Sequence, residues 1–569
     1  MNVLIIDGYI DEPACFGVSP YLSPYPRYIA GALIEKNFSE QEIYYITIDE
    51  IRQYKKYENL IKFIDILIII AGITVPGKYY NAKPITIDEI NSIFNISKGI
   101  KIIGGPIKFG YSLHGGDTAI QLNKIINNEN SKIIIAKKDL ECLIYDTITN
   151  NKRNNFYNII EKYEHRFRTN EEIKRWAKKG SFIVKKHPKY PYLICEIETY
   201  RGCTRKKKCS FCTEVFYGTP KFRDIKSIIE EVQELYFYGI FNFRIGGQAD
   251  LFAYNGIDEN EDVLKPNPII IEKLYKGIRK VAPLLKMLHM DNVNPLTIYI
   301  YPEESKKIIK SIVKYHTPGD VIALGIESLD PNVIKRNNLK VNENEAFDVI
   351  NLINKIGSKR GENGMPEILP GLNFIYGLNG ETKNTFKKNY DFLLNIVESN
   401  LLLRRINIRR LISFKNIKNN SQNDYPYLKL FQYYKNKTRK NIDNPILKKM
   451  FPKGSILKSV FIENNEYKNN ITFCRQFGTY PLLVGIQKKY EKKNIFIDIS
   501  ITGYGYRSLT GIPYPININN ENINLIKEIP YSNKLIIKNI LKLRPFKNIE
   551  DLKNRIKIDN EEFFKYIDI

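Results

Sequence analysis

The sequence predicts an α/β chain: an N-terminal doubly wound, Rossmann-like parallel sheet, a partial β/α barrel, a small β unit and a C-terminal helical hairpin. Three observations predict it. Over residues 1–150, continuous apolar runs such as Val3–Ile6 and Ile66–Ile70 alternate with helical patterns, as expected of strands buried on both faces. Over 190–414, strand-like segments end in polar residues: Gly246-Gly247-Gln248-Ala249-Asp250, His289-Met290-Asp291-Asn292, Gly325-Ile326-Glu327-Ser328 and Gly377-Leu378-Asn379-Gly380-Glu381-Thr382. Polar strand ends gathered on one rim are where a parallel barrel carries its chemistry. Over 471–520 the strands are short, and 521–569 returns to helical patterns.

A chain of 569 residues exceeds one ordinary domain. Lys and Arg outnumber Asp and Glu by 87 to 62, a net charge of +25, which points to a polyanionic partner. The chain is crowded with Ile, Lys and Asn, so part of this charge is compositional bias. Seven cysteines, three of them clustered, do not form a secreted disulfide framework and predict a reducing, cytoplasmic setting. The most apolar run, Phe63–Val75, is too short to span a bilayer and contains Asp65, so no membrane segment is expected.

In the N-terminal domain no Gly-x-Gly-x-x-Gly follows the first strand, which withdraws support for a dinucleotide. Two loops fall on its ligand-binding edge, Asp7 through Arg27 and Gly104-Gly105-Pro106-Ile107-Lys108. Cys15 in the first is either a substrate-side thiol or an uninvolved loop residue; Cys142 and Cys474 read as packing residues. Residues 151–189, with the sole tryptophan Trp176, read as a connector with one helix.

The chain is organised around Cys203-Thr204-Arg205-Lys206-Lys207-Lys208-Cys209-Ser210-Phe211-Cys212. Three thiols within ten residues suit zinc or an iron–sulfur cluster, and spacing alone does not choose. A structural zinc completed by Cys195 is one alternative.

With the strand-end motifs, this triplet resembles the radical S-adenosylmethionine (radical SAM) superfamily over roughly Tyr190 to Phe414. The resemblance implies that Cys203, Cys209 and Cys212 hold a 4Fe-4S cluster whose fourth iron takes SAM. It places the Phe211 backbone near adenine, Gly246, Gly247 and Gln248 at the methionine end, Glu327 or Ser328 at the ribose or ammonium, and Gly377 and Gly380 beside the adenosine. It also implies an electron donor such as ferredoxin or flavodoxin. Two departures stand out: five residues instead of three between the first two cysteines, and Gln248 in place of the usual Glu. His289, Asp291, Asn292 and Cys15 are the candidates for substrate contact or proton handling, with a hydrogen-bonding structural role as the alternative.

The N-terminal domain is similar in placement to cobalamin-binding domains but lacks Asp-x-His-x-x-Gly, and His114 lies in no such context. A degenerate domain that closes the barrel mouth is the competing reading. The chain also resembles tRNA methylthiotransferases, although only Cys15 and Cys142 precede Cys195, too few for a second cluster of their kind. In overall arrangement it resembles archaeal radical SAM Fe–S oxidoreductases with a C-terminal helix-hairpin-helix.

Residues 404–453 carry 14 basic against 2 acidic side chains, with interleaved tyrosines, and form the main nucleic-acid candidate. The domain expectation is 1–150, connector 151–189, barrel 190–414, basic insertion 415–470, small β unit 471–520 resembling an RNA-binding barrel, and a helix-hairpin-helix-like tail 521–569. Three readings follow: an enzyme modifying RNA or tRNA by hydrogen abstraction, a cobalamin-dependent or other small-molecule radical SAM enzyme, and a non-catalytic zinc-containing nucleic-acid-binding protein.

Overall fold

A computed structural model describes the chain except residues 10–19, 55, 73–82, 113–114, 123–132, 149–159, 161, 260, 415–424, 463–466 and 469. Strands β1 (Val3–Asp7), β3 (Ile43–Thr47), β4 (Ile66–Ile70), β5 (Ile100–Gly104) and β6 (Ile133–Ile135) form one parallel sheet in the order β3-β1-β4-β5-β6. β1 and β4 are buried at every position, so their unbroken apolar runs are explained by cover on both faces.

The barrel is a curved parallel sheet: β7 (Ile194–Glu198), β8 (Asn242–Gly246), β9 (Met287–Met290), β10 (Asn292–Val293), β11 (Asp320–Glu327), β12 (Ile368–Tyr376) and β13 (Arg405–Arg410). β9 and β10 are two halves of one strand interrupted at Asp291, so six barrel strands result. The register Ile194↔Asn242↔Met287 and Glu196↔Arg244↔His289 sets these side chains in successive layers of the barrel interior.

A six-stranded partial barrel has two unpaired edges, and the N-terminal domain covers both. The short strand β2 (Tyr21–Leu22) pairs in parallel with β7. At the other end, Thr118 bridges to Ser413 just past β13, and the Ala119 amide donates to Ser413 O at 2.8 Å. Helix α1 (Pro24–Glu35) follows β2 and lies tightly on the helix Asn170–Lys179. A Cβ on Gly31 would sit 2.0 Å from Trp176 O, and one on Gly180 would sit 1.8 Å from Arg27 O, so only glycine permits this approach.

The C-terminal sheet is larger than expected. Its order is β14 (Ile456–Ile462), β18 (Ile495–Tyr504), β19 (Leu509–Pro513), β17 (Val484–Ile486), β16 (Ile471–Cys474) and β15 (Tyr467–Lys468). It therefore begins at 456, inside the segment read as basic insertion, because β14 pairs with the distant β18. The helices Leu428–Thr438 and Asn444–Met450 pack beside the barrel, with Phe431 edge-on to Tyr376 at 5.6 Å. The tail has helices Ile523–Ile526, Lys534–Leu543 and Ile549–Arg555, with Tyr531 in the left-handed conformation at φ 61° in the first turn. Among the described residues no helix is long and apolar enough to cross a membrane.

At the base of the barrel, His316 lies between Asp320 Oδ2 at 3.1 Å and Glu367 Oε2 at 3.2 Å. Burial opposes its charge, but the bonds to Asp320 and Glu367 prevail and raise its pKa above 6.5. A raised histidine pKa gives stability that is complete below the unfolded pKa and is lost as pH rises through the folded value. We expect the thermal midpoint to fall more steeply between pH 6 and 8.5 in the wild type than in a His316→Gln variant. Parallel profiles would refute this.

Candidate active site

The cysteine loop follows β7 and is tied down at several points. Gly202 N donates to Glu214 Oε2 at 3.0 Å, Lys207 N to Asp262 Oδ1 at 2.7 Å and Ser210 Oγ to Asn337 Oδ1 at 2.8 Å. These contacts bring Cys203, Cys209 and Cys212 to one cavity of about 180 Å³, which Phe211, Asn294, Glu327 and Lys340 also line. Tetrahedral structural zinc takes four protein ligands, and only three thiols meet at this cavity. Three thiols around a shared cavity suit a multi-iron cluster instead. Cys195 does not join them. It is fully buried among apolar side chains, and burial pushes its thiol up to about 12. Burial likewise raises Cys212 to about 12 and Cys203 above its ordinary value, so binding metal there releases protons.

Next to this cavity lies a chamber of about 340 Å³. The two share Glu214, Ala249, Asn292, Glu327 and Asn373 in their walls. The N-terminal domain contributes Ser23, Pro24 and Tyr25 to the chamber, and the C-terminal unit contributes Tyr480. The segment Phe477–Tyr480 rises inside the barrel. Phe477 packs on Tyr21, Ile194 and Met287; Thr479 N donates to His289 Nδ1 at 3.2 Å; and Tyr480 Oη donates to Asp291 Oδ1 at 3.1 Å.

The expected rim residues divide accordingly. Asp291 lines the chamber and is ion-paired with Arg244, which also reaches Glu196 at 3.3 Å. Asn292 lines both spaces. His289 is not a rim residue, which corrects the expectation. It sits one layer below Asp291, is 1% exposed under the Gly478–Thr479 backbone, and burial lowers its pKa to about 4. Cys15 lies outside the described residues.

On the SAM side, Gly246 packs against Glu196: a Cβ would meet Glu196 Oε1 at 2.2 Å and would displace its carboxylate. Gly247, at φ 74°, opens the chamber wall. The Gln248 side chain is spent inside the protein, accepting from Thr199 Oγ1 at 3.2 Å and donating to Ile245 O at 3.3 Å. Glu327 stands in the wall common to both spaces, at a bulge in β11 and with φ 66°. Burial raises its pKa against the pull of Lys340, whose Nζ is 3.5 Å away, while its buried Oε2 has no hydrogen-bond partner. An orphaned buried carboxylate oxygen is matched by a hydroxyl-bearing ligand such as a ribose.

Three expected contacts lie outside the lining of either space. Ser328 accepts from Asp330 N at 3.3 Å and builds its own turn. Gly377 (φ 94°) donates to Glu381 Oε2 at 2.8 Å, and Gly380 (φ 86°) packs on Arg336. Their turn touches the cysteine loop through Asn337, which donates to Asn379 O at 2.8 Å. Sequence reasoning missed Lys340, Tyr480 and the chamber-facing Arg405 and Arg409. A lone lysine in a lysine-rich chain gives no signal for Lys340.

Beyond β1, Gly8 packs under Ile85: a Cβ on Gly8 would lie 2.5 Å from Ile85 Cγ2, and Tyr111 Oη donates to Ile85 O at 3.2 Å. The domain and its connector meet the barrel through buried ion pairs, Arg201 with Asp139 at 2.6 Å and Arg168 with Glu198 at 2.6 Å. Nearby, burial lowers Lys108 to about 8.

The sequence profile of the radical SAM superfamily matches residues 197–393. An uncharacterised protein of Methanocaldococcus jannaschii is 45% identical over 527 residues, 90% of this chain and 93% of that protein. One from Archaeoglobus fulgidus is 39% identical over 522 residues, 91% of each. A third, from M. jannaschii and provisionally named a methylthiotransferase, is 27% identical over 166 residues, 29% of this chain and 33% of that protein. The cysteine loop, the barrel and these likenesses agree: the chain belongs to the radical SAM superfamily, whose enzymes use a 4Fe-4S cluster and S-adenosylmethionine.

Proposed function

We propose that the protein abstracts hydrogen from a small polar substrate bearing an acidic group, held in the chamber between barrel, α1 and Tyr480. The observation that carries this reading is the wall common to the thiol cavity and the chamber, which sets a group bound in one beside a molecule in the other. When bound, cluster and SAM supply a 5′-deoxyadenosyl radical, with the electron coming from a ferredoxin or flavodoxin.

The chain's own residues orient and shield. Arg405, Asn407 and Arg409 alternate along β13 and face the chamber together. Arg405 donates to Asn373 Oδ1 at 3.0 Å and stacks 3.8 Å above the Tyr480 ring, which fixes its fork. Guanidinium forks match a carboxylate or phosphate. Tyr25 and Tyr217 line the chamber beside the α1 end and exclude water. The test compares two fractions of an extract from cells that carry the protein, added to reconstituted enzyme with SAM and reductant. Stimulation of 5′-deoxyadenosine release by the low-mass anionic fraction, weakened roughly tenfold or more by Arg405→Ala, supports the proposal. Stimulation by the RNA fraction alone refutes it.

The second reading, RNA or tRNA modification, is favoured by the likeness to the M. jannaschii methylthiotransferase and by exposed Lys429, Lys440, Lys448 and Lys449 on the helices beyond the barrel. Not all of that basic segment is surface: Arg439 is buried and donates to Ile406 O at 2.8 Å. This reading expects RNA affinity that falls with salt, with a log–log slope of about −0.7 per single-strand phosphate contact. Salt-independent binding, or none, would count against it.

A further inference from the structure

The first spacer of the cysteine loop is two residues longer than the resemblance leads one to expect, and it carries Arg205, whose guanidinium meets Cys209. Arg205 is 4% exposed. Its Nη1 donates to Cys209 Sγ at 3.1 Å and to Asn338 O at 2.8 Å. Its Nε and Nη2 close on Asp262 Oδ2 at 3.1 and 2.7 Å. Asp262 also holds the loop itself: Oδ1 accepts from Lys207 N at 2.7 Å, and its carbonyl accepts from Lys206 N at 2.9 Å. One carboxylate thus fixes both the guanidinium and the backbone that carries it.

We infer that Arg205 tunes the cluster, its N–H···S bond to Cys209 raising the reduction potential so that the enzyme accepts an electron more readily. The inference rests on Cys203, Cys209 and Cys212 being the ligands. A one-electron reduction adds negative charge at the ligand sulfurs and moves no atoms; a buried donor within bonding distance of one sulfur stabilises the more negative state. Asp262 offsets part of the guanidinium charge, so the effect is that of one charge-assisted bond. We expect a roughly tenfold shift in the oxidised-to-reduced ratio, about 59 mV for one electron.

The test is an anaerobic redox titration of the reconstituted full chain, followed by electron paramagnetic resonance. Arg205→Gln should lower the midpoint by about that amount with iron content unchanged. Full iron with an unmoved midpoint overturns the inference and leaves the ligand assignment intact. If Arg205→Gln fails to take up iron, wild-type protein carrying 15N-labelled arginine decides: a 15N coupling to the reduced cluster supports the bond, and its absence overturns it. A wild type that takes up no iron overturns the ligand assignment, and the inference with it.

Discussion

Changing Cys203, Cys209 and Cys212 together to alanine will leave a folded chain that takes up no iron and releases no 5′-deoxyadenosine. The fold survives because the loop is held by side chains other than the thiols: Glu214 on Gly202 N, Asp262 on Lys207 N and Asn337 on Ser210. All three cysteines are only partly buried, so alanine leaves no large hole in a packed core. The loss of activity should be complete, since among the described residues these three are the only thiols that line the cavity. Iron and sulfide analysis beside nucleoside release, with circular dichroism for the fold, makes the measurement; about four irons per chain are expected in the wild type. Zinc in place of iron, or nucleoside release unaffected by the triple change, would sink the reading of the site.

The largest expected loss of stability comes from Glu231, on the helix Ile225–Phe237. Its two oxygens serve two buried guanidiniums, Arg27 of α1 through Oε1 at 2.8 Å and Arg223 through Oε2 at 2.8 Å, and neither its own side chain nor that of Arg27 reaches solvent. Glu231→Ala leaves both cations buried without their counter-charge. Removing one partner of such a set costs about 3–5 kcal/mol, because the remaining charge is stranded rather than because the pair was strongly favourable. The thermal midpoint should drop by roughly 10 °C, at 2–4 °C per kcal/mol for a large domain. A triple change of Glu231, Arg27 and Arg223 to apolar residues should recover much of the loss. A Glu231→Ala midpoint within a degree of wild type would refute the argument.

What the sequence makes legible is what is local in it. The apolar runs of β1 and β4 need no partner to be read as buried strands, and three cysteines in ten residues announce themselves. Glu327 is legible because it closes a strand in a Gly-Ile-Glu-Ser run. What escapes is set by distance along the chain. Tyr480 reaches Asp291 from 189 residues away, and Asp262 reaches Arg205 from 57. The position of His289 escapes because alternation fixes which face of a strand a residue takes but not its depth in the barrel, and depth decides between rim and floor. A count of charge does not separate surface from interior: over 404–453, strand alternation turns Arg405 and Arg409 inward and packing buries Arg439. The RNA reading loses part of its support for that reason.

The clasp of the N-terminal domain on both barrel edges has a consequence for how the chain comes into being. Domains emerging from the ribosome fold in order of synthesis. Tyr21–Leu22 and Thr118 are made before β7 and Ser413, so the segments that the two barrel edges meet already exist when those edges appear. The first barrel edge therefore has a partner as soon as β7 is made, and the last finds one when Ser413 follows β13. Phe477–Tyr480 comes last. Until that segment is made and inserted, the chamber has no floor, so a ribosome stalled near residue 470 would carry a paired barrel with an open interior.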